Sequence, residues 1–225
     1  MLGSFAKFYV DGGAWMHPIA LVSIFCVAMV VERTIALFFR YNVNARSFMA
    51  QIQKLVMANN IDRAIKLCNV TSTAVLPKVV KAALVKANRG ELEINNAVEE
   101  ATLEVVPQVT RTLSTLASFA NLATLLGLLG TIVGLIDAFA AVASAPPDQK
   151  SQLLMAAIAI AMNTTAMGLI VAIPSLAAYA FLNSASKRIL DEVDQYSVKL
   201  MNLLVARGKS RVQDPAGVGG SGTAG

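Results

Sequence analysis

The sequence predicts an all-α integral membrane protein with three transmembrane helices and long cytoplasmic helical extensions. The stretch from Thr112 to Asn183 holds only three charged side chains in 72 residues. A second apolar stretch occupies residues 15–39, and most Lys and Arg residues lie outside both stretches. A bilayer core of about 30 Å needs roughly 20 helical residues, so the longer stretch is long enough to cross twice.

The first element is a short amphipathic segment, residues 1–14, which we expect at the outer surface. Residues 15–39 form the first predicted span, which begins with the aromatic anchor Trp15 and is interrupted by Glu32 and Arg33. A charged pair near a helix end can snorkel to the interface or pair internally, so the interruption is compatible with a span.

The second and third spans are predicted at residues 112–143 and 152–183, joined by a periplasmic turn at 144–151 that contains two prolines. Between the first two spans, apolar residues recur at helical spacing and predict a cytoplasmic helical region over 40–111. A cytoplasmic helix is predicted at 184–211, and the Gly-rich residues 212–225 are predicted to be disordered.

The distribution of basic residues predicts the orientation. Ten Lys and Arg residues lie in 40–111 and six more follow residue 183, whereas the amino-terminal flank and the turn each hold one. By the positive-inside rule, the amino terminus is outside the membrane and the carboxyl terminus is cytoplasmic. The net charge of +5 is therefore a topology signal that suits anionic membrane lipid, and we expect no nucleic-acid partner.

Several function classes find no support in the composition. Cys26 and Cys68 fall in a span and in the cytoplasmic region, so we expect neither a disulfide nor chemistry from them. The single histidine, His17, stands at the outer mouth of the first span, where an interfacial position is expected. We therefore expect no metal site and no enzyme, since paired acids, metal ligands and an activated nucleophile are all lacking at useful spacing.

The interior of the helical hairpin carries small and polar residues. Gly130 and Gly134 form a small-xxx-small pattern, which lets helices approach closely. On the third span, a narrow stripe of small side chains is predicted, made of Ala161, Thr165, Gly168 and Ala172. Counted from the turn, Thr131 and Thr165 lie at nearly the same depth, near mid-membrane. Such hydroxyls can bond to their own helix or line a polar path.

Two motifs resemble the paired signature of the MotA/TolQ/ExbB proton-channel family. They are residues 129–136, Leu-Gly-Thr-Ile-Val-Gly-Leu-Ile, and residues 165–174, Thr-Ala-Met-Gly-Leu-Ile-Val-Ala-Ile-Pro. Glu32 and Arg33 at the inner end of the first span are similar to that family too, and the resemblance covers about residues 10–205. Length and topology are nearer to TolQ and ExbB, and gliding-motility motor subunits also belong to this group.

The resemblance implies a protein of the bacterial inner membrane, with a periplasmic amino terminus and a cytoplasmic carboxyl terminus. It also implies a homopentameric ring around the single spans of two copies of a small ExbD/TolR/MotB-like subunit with an essential Asp. Thr131 and Thr165 match the threonines that face this aspartate, and Pro174 matches the third-span proline that kinks the helix. The family uses no cofactor beyond the transported ion. Gradient-driven ion flow would turn ring and partner relative to one another and do mechanical work.

One position departs from the resemblance. TolQ-like and ExbB-like chains place a glutamate five residues before the matching third-span threonine, and here that position is Ile160. We therefore expect ion passage to use the partner's aspartate with Thr131 and Thr165, assisted by Asn163 or Thr164. Because hydroxyl and amide oxygens can also coordinate a hard cation, Na⁺ remains an alternative to H⁺.

Asp137 is the only acid within either hairpin span, about nine residues from the outer turn. We predict that Asp137 lines an outer vestibule or has a structural role. The alternative is that it lies on the ion path. A non-conducting membrane scaffold is the competing function. The driven machine stays open among outer-membrane import, envelope constriction and gliding, and flagellar drive is least expected because residues 40–111 are short for a flagellar stator.

Overall fold

The structure is a computed structural model that describes residues 8–10, 12–41, 44–71 and 74–213. All regular secondary structure in these ranges is helical, as predicted. After a short helical piece at 8–10, the elements are α1 (Met16–Ile35) with a π-helical continuation (Ala36–Tyr41), α2 (Ala45–Met57), α3 (Ile61–Val70), α4 (Val75–Val85), α5 (Glu91–Ser144) and α6 (Lys150–Gln213).

Three of these helices have the length and apolar character to cross a membrane, as many as the predicted spans. They are Met16–Phe39, Glu91–Ser144 and Lys150–Arg207. At most 33% of the most apolar window of each is buried within the chain. Large apolar side chains therefore remain uncovered along them, among them Leu125, Ile132, Ile136, Phe139, Ile158 and Ile173. Such surfaces suit contact with lipid or with other subunits.

One compact unit contains α1 and the parts of α5 and α6 between residues 111 and 184. Helix α1 packs against α5. One contact between them is the stacking of the Phe25 and Phe119 rings, whose centroids are 6.0 Å apart. Arg33 also reaches Thr112 on α5. Since residue numbers rise along one helix as they fall along the other, the two helices are antiparallel, as successive spans must be.

The charged pair that interrupts the first span is accommodated internally. Arg33 is only 7% exposed and its guanidinium donates a hydrogen bond to the Thr112 hydroxyl. The Glu32 carboxylate lies 3.9 Å from the Arg33 Nε and remains largely exposed. A charge near the end of an apolar helix is costly unless it is paired or hydrogen-bonded, and here Arg33 has both kinds of partner.

The second compact unit contains residues 36–110 and the part of α6 after residue 184. Helices α2, α3 and α4 pack on one another through apolar faces, whose buried members include Phe48, Met49, Ile52, Val56, Ala64, Leu76, Val79, Val80 and Leu84. The turn before α3 depends on Asn59, whose φ of 60° is a left-handed conformation that asparagine tolerates. These helices follow the apolar periodicity that predicted a helical region.

Helix α5 runs through Pro107 without a break, although proline removes one backbone hydrogen bond from the helix. Helix α6 ends at Gln213, two residues past the predicted end. The remainder of the predicted disordered tail, residues 214–225, and most of the predicted outer-surface segment 1–14 lie outside the described residues.

Candidate functional site

The central feature of the first unit is a seam where α5 and α6 pack closely, which we call the glycine seam. On α5 it contains Gly127, Gly130 and Gly134, and on α6 it contains Ala161, Thr164 and Gly168. A Cβ added at Gly168 would lie 2.8 Å from the carbonyl oxygen of Ala123, and one at Gly130 would lie 2.8 Å from the Thr164 Oγ1. At Gly168 the two backbones thus meet directly, and at Gly130 the missing side chain leaves room for the Thr164 side chain.

The glycine seam also fixes the register of the two antiparallel helices. Gly130 stands opposite Thr164, and Gly134 stands opposite Ala161, with 3.4 Å from an added Cβ to the Ala161 Cβ. The predicted packing residues Gly130, Gly134 and Gly168 therefore all lie at the contact. Pro174 lies farther along α6 on an exposed face, inside a helix that continues to Gln213.

The threonine hydroxyls use their protons on backbone carbonyls. Thr165 donates across the seam to the carbonyl oxygen of Gly127 at 3.2 Å. Thr164 is 2% exposed and donates to Ala161 of its own helix at 2.7 Å, with the Gly127 carbonyl a second acceptor at 3.4 Å. Thr131 donates within its own helix, to the Leu128 carbonyl at 2.6 Å.

Thr131 and Thr165 lie at similar heights along the hairpin. Gly130 and Thr164 face each other across the seam. Thr131 lies one residue beyond Gly130 towards the connection between the helices, and Thr165 lies one residue beyond Thr164 away from it. Their heights therefore differ by two helical rises, about 3 Å. Both side chains are partly exposed, whereas Thr164 is buried between them. The structure brings the three threonines within about 3 Å of one another in height but does not join the Thr131 and Thr165 hydroxyls to each other.

The buried stripe differs from the predicted one in one member. Ala161, Gly168 and Ala172 are buried as expected, but Thr164 and not Thr165 completes the row. Residues three and four positions apart both fall near one face of a helix, so spacing alone did not separate the two threonines. The signal that separates them is Gly130, whose missing side chain leaves space for Thr164.

The remaining predicted positions lie at the edge of the glycine seam or away from it. Asn163 is partly exposed beside Thr164, and Ile160 is 43% exposed on α6. Asp137 is exposed on α5, about 1.7 helical turns beyond Thr131 in the direction of residues 145–149, which connect the two helices. None of the three takes part in the contacts that close the seam.

Both cysteines are buried free thiols. For Cys68, on α3, burial raises the pKa of the thiol to about 11, although nearby Lys81 lowers it in part. Such a thiol is protonated at neutral pH, and a protonated thiol is a poor nucleophile and metal ligand. Within the described ranges, no group of three or more His, Cys, Asp and Glu side chains is placed to hold a metal ion.

Comparison with known proteins identifies the family. A sequence model of the MotA/TolQ/ExbB proton channel family matches residues 69–195, more than half of the chain. The chain belongs to the MotA/TolQ/ExbB proton channel family. The resemblance drawn from the hairpin motifs is thus confirmed. A search of curated proteins gave no significant match.

The match to the MotA/TolQ/ExbB proton channel family includes both faces of the glycine seam and all three threonines. The match begins near the end of α3, at residue 69, and ends at residue 195 of α6, in the part predicted to be cytoplasmic. It is therefore narrower than the expected range of about 10–205 and does not include α1. The protein is accordingly a membrane protein of this family with three apolar helices.

Proposed function

We propose that this chain is the ion-channel subunit of an inner-membrane motor powered by the proton motive force. Five copies would form a ring around the single spans of two copies of an ExbD/TolR/MotB-like subunit that contributes an essential aspartate. The amino terminus would be periplasmic and the carboxyl terminus cytoplasmic. Ion flow would be coupled to mechanical work for envelope energy transduction, transport or gliding.

The observation that supports conduction best is the state of the Thr131 and Thr165 hydroxyls. Each donates its proton to a backbone carbonyl, so each oxygen retains lone pairs that can only accept. An oxygen that accepts suits a protonated carboxyl group, a water molecule or a hard cation, and it repels a bare carboxylate. Two such partly exposed oxygens at one level would favour the neutral, proton-carrying state of a partner's aspartic acid.

This chain supplies no acid at that level, so the proton carrier must come from the partner. Asp137 is displaced towards the outer turn, and Ile160 stands where related chains have glutamate. A threonine cannot release a proton at accessible pH, so Thr131 and Thr165 would bind and orient the carrier without carrying the proton themselves. Each charge that crosses 100 mV provides about 2.3 kcal/mol, so sustained work needs repeated transfers.

The proposal is tested by removing one hydroxyl at a time. Thr165→Val, Thr131→Val and the control Thr115→Val, whose hydroxyl bonds to the Arg111 carbonyl on an exposed face, are each co-expressed with an ExbD/TolR/MotB-like subunit. Ion uptake is measured in proteoliposomes under a pH gradient. Loss of one acceptor contact corresponds to about 1 kcal/mol or more, so flux should fall about five-fold or more in the first two variants and stay unchanged in the control.

A non-conducting membrane scaffold is the alternative, and one observation favours it. The hydroxyl of Thr164 is fully used in packing, and a glycine seam can serve close helix association alone. If both Thr165→Val and Thr131→Val keep full flux, or if the wild-type protein passes no ions together with an ExbD/TolR/MotB-like subunit, the scaffold explanation replaces the channel. Repeating the flux measurement with a Na⁺ gradient at constant pH distinguishes the two ions.

A further inference from the structure

A polar cavity of about 660 Å³ lies in the second unit, between the start of α2 and α6. Its volume is within the range of sites that bind small molecules. Arg46 in the first turn of α2 and Arg188 on α6 supply positive charge to the lining. The other polar groups that line it belong to Asn44, Glu192, Gln195 and Tyr196.

The cavity lies close in sequence to the ends of two predicted spans. Arg188 is five residues past Asn183, about 7.5 Å along the same continuous helix. A bilayer is about 30 Å thick in its hydrocarbon core and about 40–45 Å with its headgroups, so each headgroup layer is about 5–8 Å deep. Phe38, which also lines the cavity, is 45% exposed, and Phe39 beside it is 83% exposed. If the spans end where the sequence predicts, the cavity would fall at the depth of lipid headgroups.

The lining favours a singly charged anion. The Arg188 guanidinium is 3.5 Å from the Glu192 carboxylate, which neutralises one charge, so Arg46 leaves the lining with one net positive charge. Guanidinium groups bind phosphate through two parallel hydrogen bonds. The first backbone N–H groups of a helix have no acceptor within that helix, and Ala45 and Arg46, which open α2, both line the cavity.

We propose that this cavity binds the phosphodiester of an anionic phospholipid of the inner leaflet, between Arg46 and Arg188. The exposed rings of Phe38 and Phe39 then lie beside the start of the acyl chains. A single negative charge on the lipid phosphate matches the single net charge of the lining. The site depends on the membrane placement of α1 and α6 but not on ion conduction, so it stands or falls separately from the channel proposal.

The test uses the full-length protein in detergent, stripped of lipid and then titrated with phosphatidylglycerol or phosphatidylcholine while native mass spectrometry counts bound lipids. Arg46→Gln and Arg188→Gln remove the proposed ligands, and both residues are exposed, so the fold should be retained. Lys187→Gln is the matched control, because Lys187 is the exposed neighbour of Arg188 and does not line the cavity. Circular dichroism checks the helix content of each variant.

We expect phosphatidylglycerol to bind the wild-type protein about ten-fold or more tightly than phosphatidylcholine. Arg46→Gln should weaken this binding about ten-fold, as expected for losing a hydrogen-bonded ion pair, and Lys187→Gln should leave it unchanged. Equal weakening by all three substitutions would mean general surface attraction and would overturn the proposal. Binding of phosphatidylcholine as tight as that of phosphatidylglycerol would do the same. Displacement of the lipid by millimolar inorganic phosphate, or occupation by a copurifying acidic protein, would assign the cavity to another ligand.

Discussion

The glycine seam predicts that two Gly→Ala substitutions on the same pair of helices differ in their effect on stability. At Gly168 the new Cβ would lie 2.8 Å from the Ala123 carbonyl oxygen and 3.1 Å from the Gly127 Cα, both backbone atoms. At Gly134 the nearest atom would be the Ala161 Cβ at 3.4 Å, an ordinary van der Waals distance. Gly168→Ala must therefore move α5 and α6 apart, and Gly134→Ala need not.

The size of the effect follows from these distances. To reach 3.4 Å from the carbonyl oxygen, the helices must separate by about 0.6 Å at Gly168. A gap of that size forfeits a quarter or more of each dispersion contact along the seam, and overpacking of this kind typically costs about 1–3 kcal/mol. The gain in helix propensity from Gly to Ala applies to both variants and cancels in the comparison. We expect Gly168→Ala to be less stable than Gly134→Ala by about 1–3 kcal/mol.

Unfolding in mixed micelles with increasing SDS, followed by far-ultraviolet circular dichroism, measures this difference. The wild-type protein and the two variants are compared at equal protein and detergent concentration, since association shifts the apparent stability. Equal transition midpoints for the two variants would show that α5 and α6 do not meet as closely as described. A Gly134→Ala variant that is the less stable of the two would contradict the register itself.

Three further results are expected. Thr112→Val should lower stability by about 1–3 kcal/mol, measured by the same unfolding, because it removes the hydroxyl that accepts from buried Arg33, whereas Thr115→Val on an exposed face should be neutral. Cys68 should be alkylated by iodoacetamide about 100-fold more slowly in the folded protein at pH 8 than in denaturant, because raising its pKa from an ordinary 9.0 to about 11 lowers the thiolate fraction. Peptide mapping measures both rates, and the rate in the folded protein should rise as the pH approaches 11. Equal rates in the folded and denatured protein would refute this prediction. Asp137→Asn should leave ion flux unchanged, as expected of an exposed outer residue, and a loss of flux would assign it to the ion path.

Much of the fold follows from patterns that a sequence displays directly. The length of apolar stretches predicts three spans, because the thickness of a bilayer sets the helix length. Apolar periodicity predicts the cytoplasmic helices, because helices in water bury one face. Pro107 shows that composition alone does not fix a helix end, since proline can end a helix or merely bend it, and α5 runs through it.

The site could be predicted only in part, because pairwise packing between helices decides its details. The motifs singled out Gly130, Thr131 and Thr165, but not that Thr164 fills the space beside Gly130 while Thr165 bonds across to Gly127. Those outcomes depend on the register and rotation of the two helices. Thr164 and Thr165 follow Ala161 by three and four residues, and both spacings place a residue near the same helix face, so the sequence pattern does not distinguish them. Whether these threonines lie on an ion path remains a prediction.

The partner of Arg33 shows another limit. The sequence placed this residue near the inner end of the first span and predicted that it would snorkel or pair internally. Its hydrogen bond to Thr112 joins residues that are far apart in the chain, and no local pattern identifies such a pair. Only the antiparallel alignment of α1 and α5, which the stacked rings of Phe25 and Phe119 also support, brings them together.

The short connection between α5 and α6 has a consequence for biogenesis. Only five residues, 145–149, separate α5 from α6. Both sides of the glycine seam therefore belong to the same polypeptide. Nearby contacts form fastest, and spans inserted individually associate afterwards within the lipid. We expect α5 and α6 to associate as soon as they leave the translocon. Helix α1, which is inserted earlier, would pack against them afterwards. A newly made chain would then meet any partner subunit with that hairpin already closed.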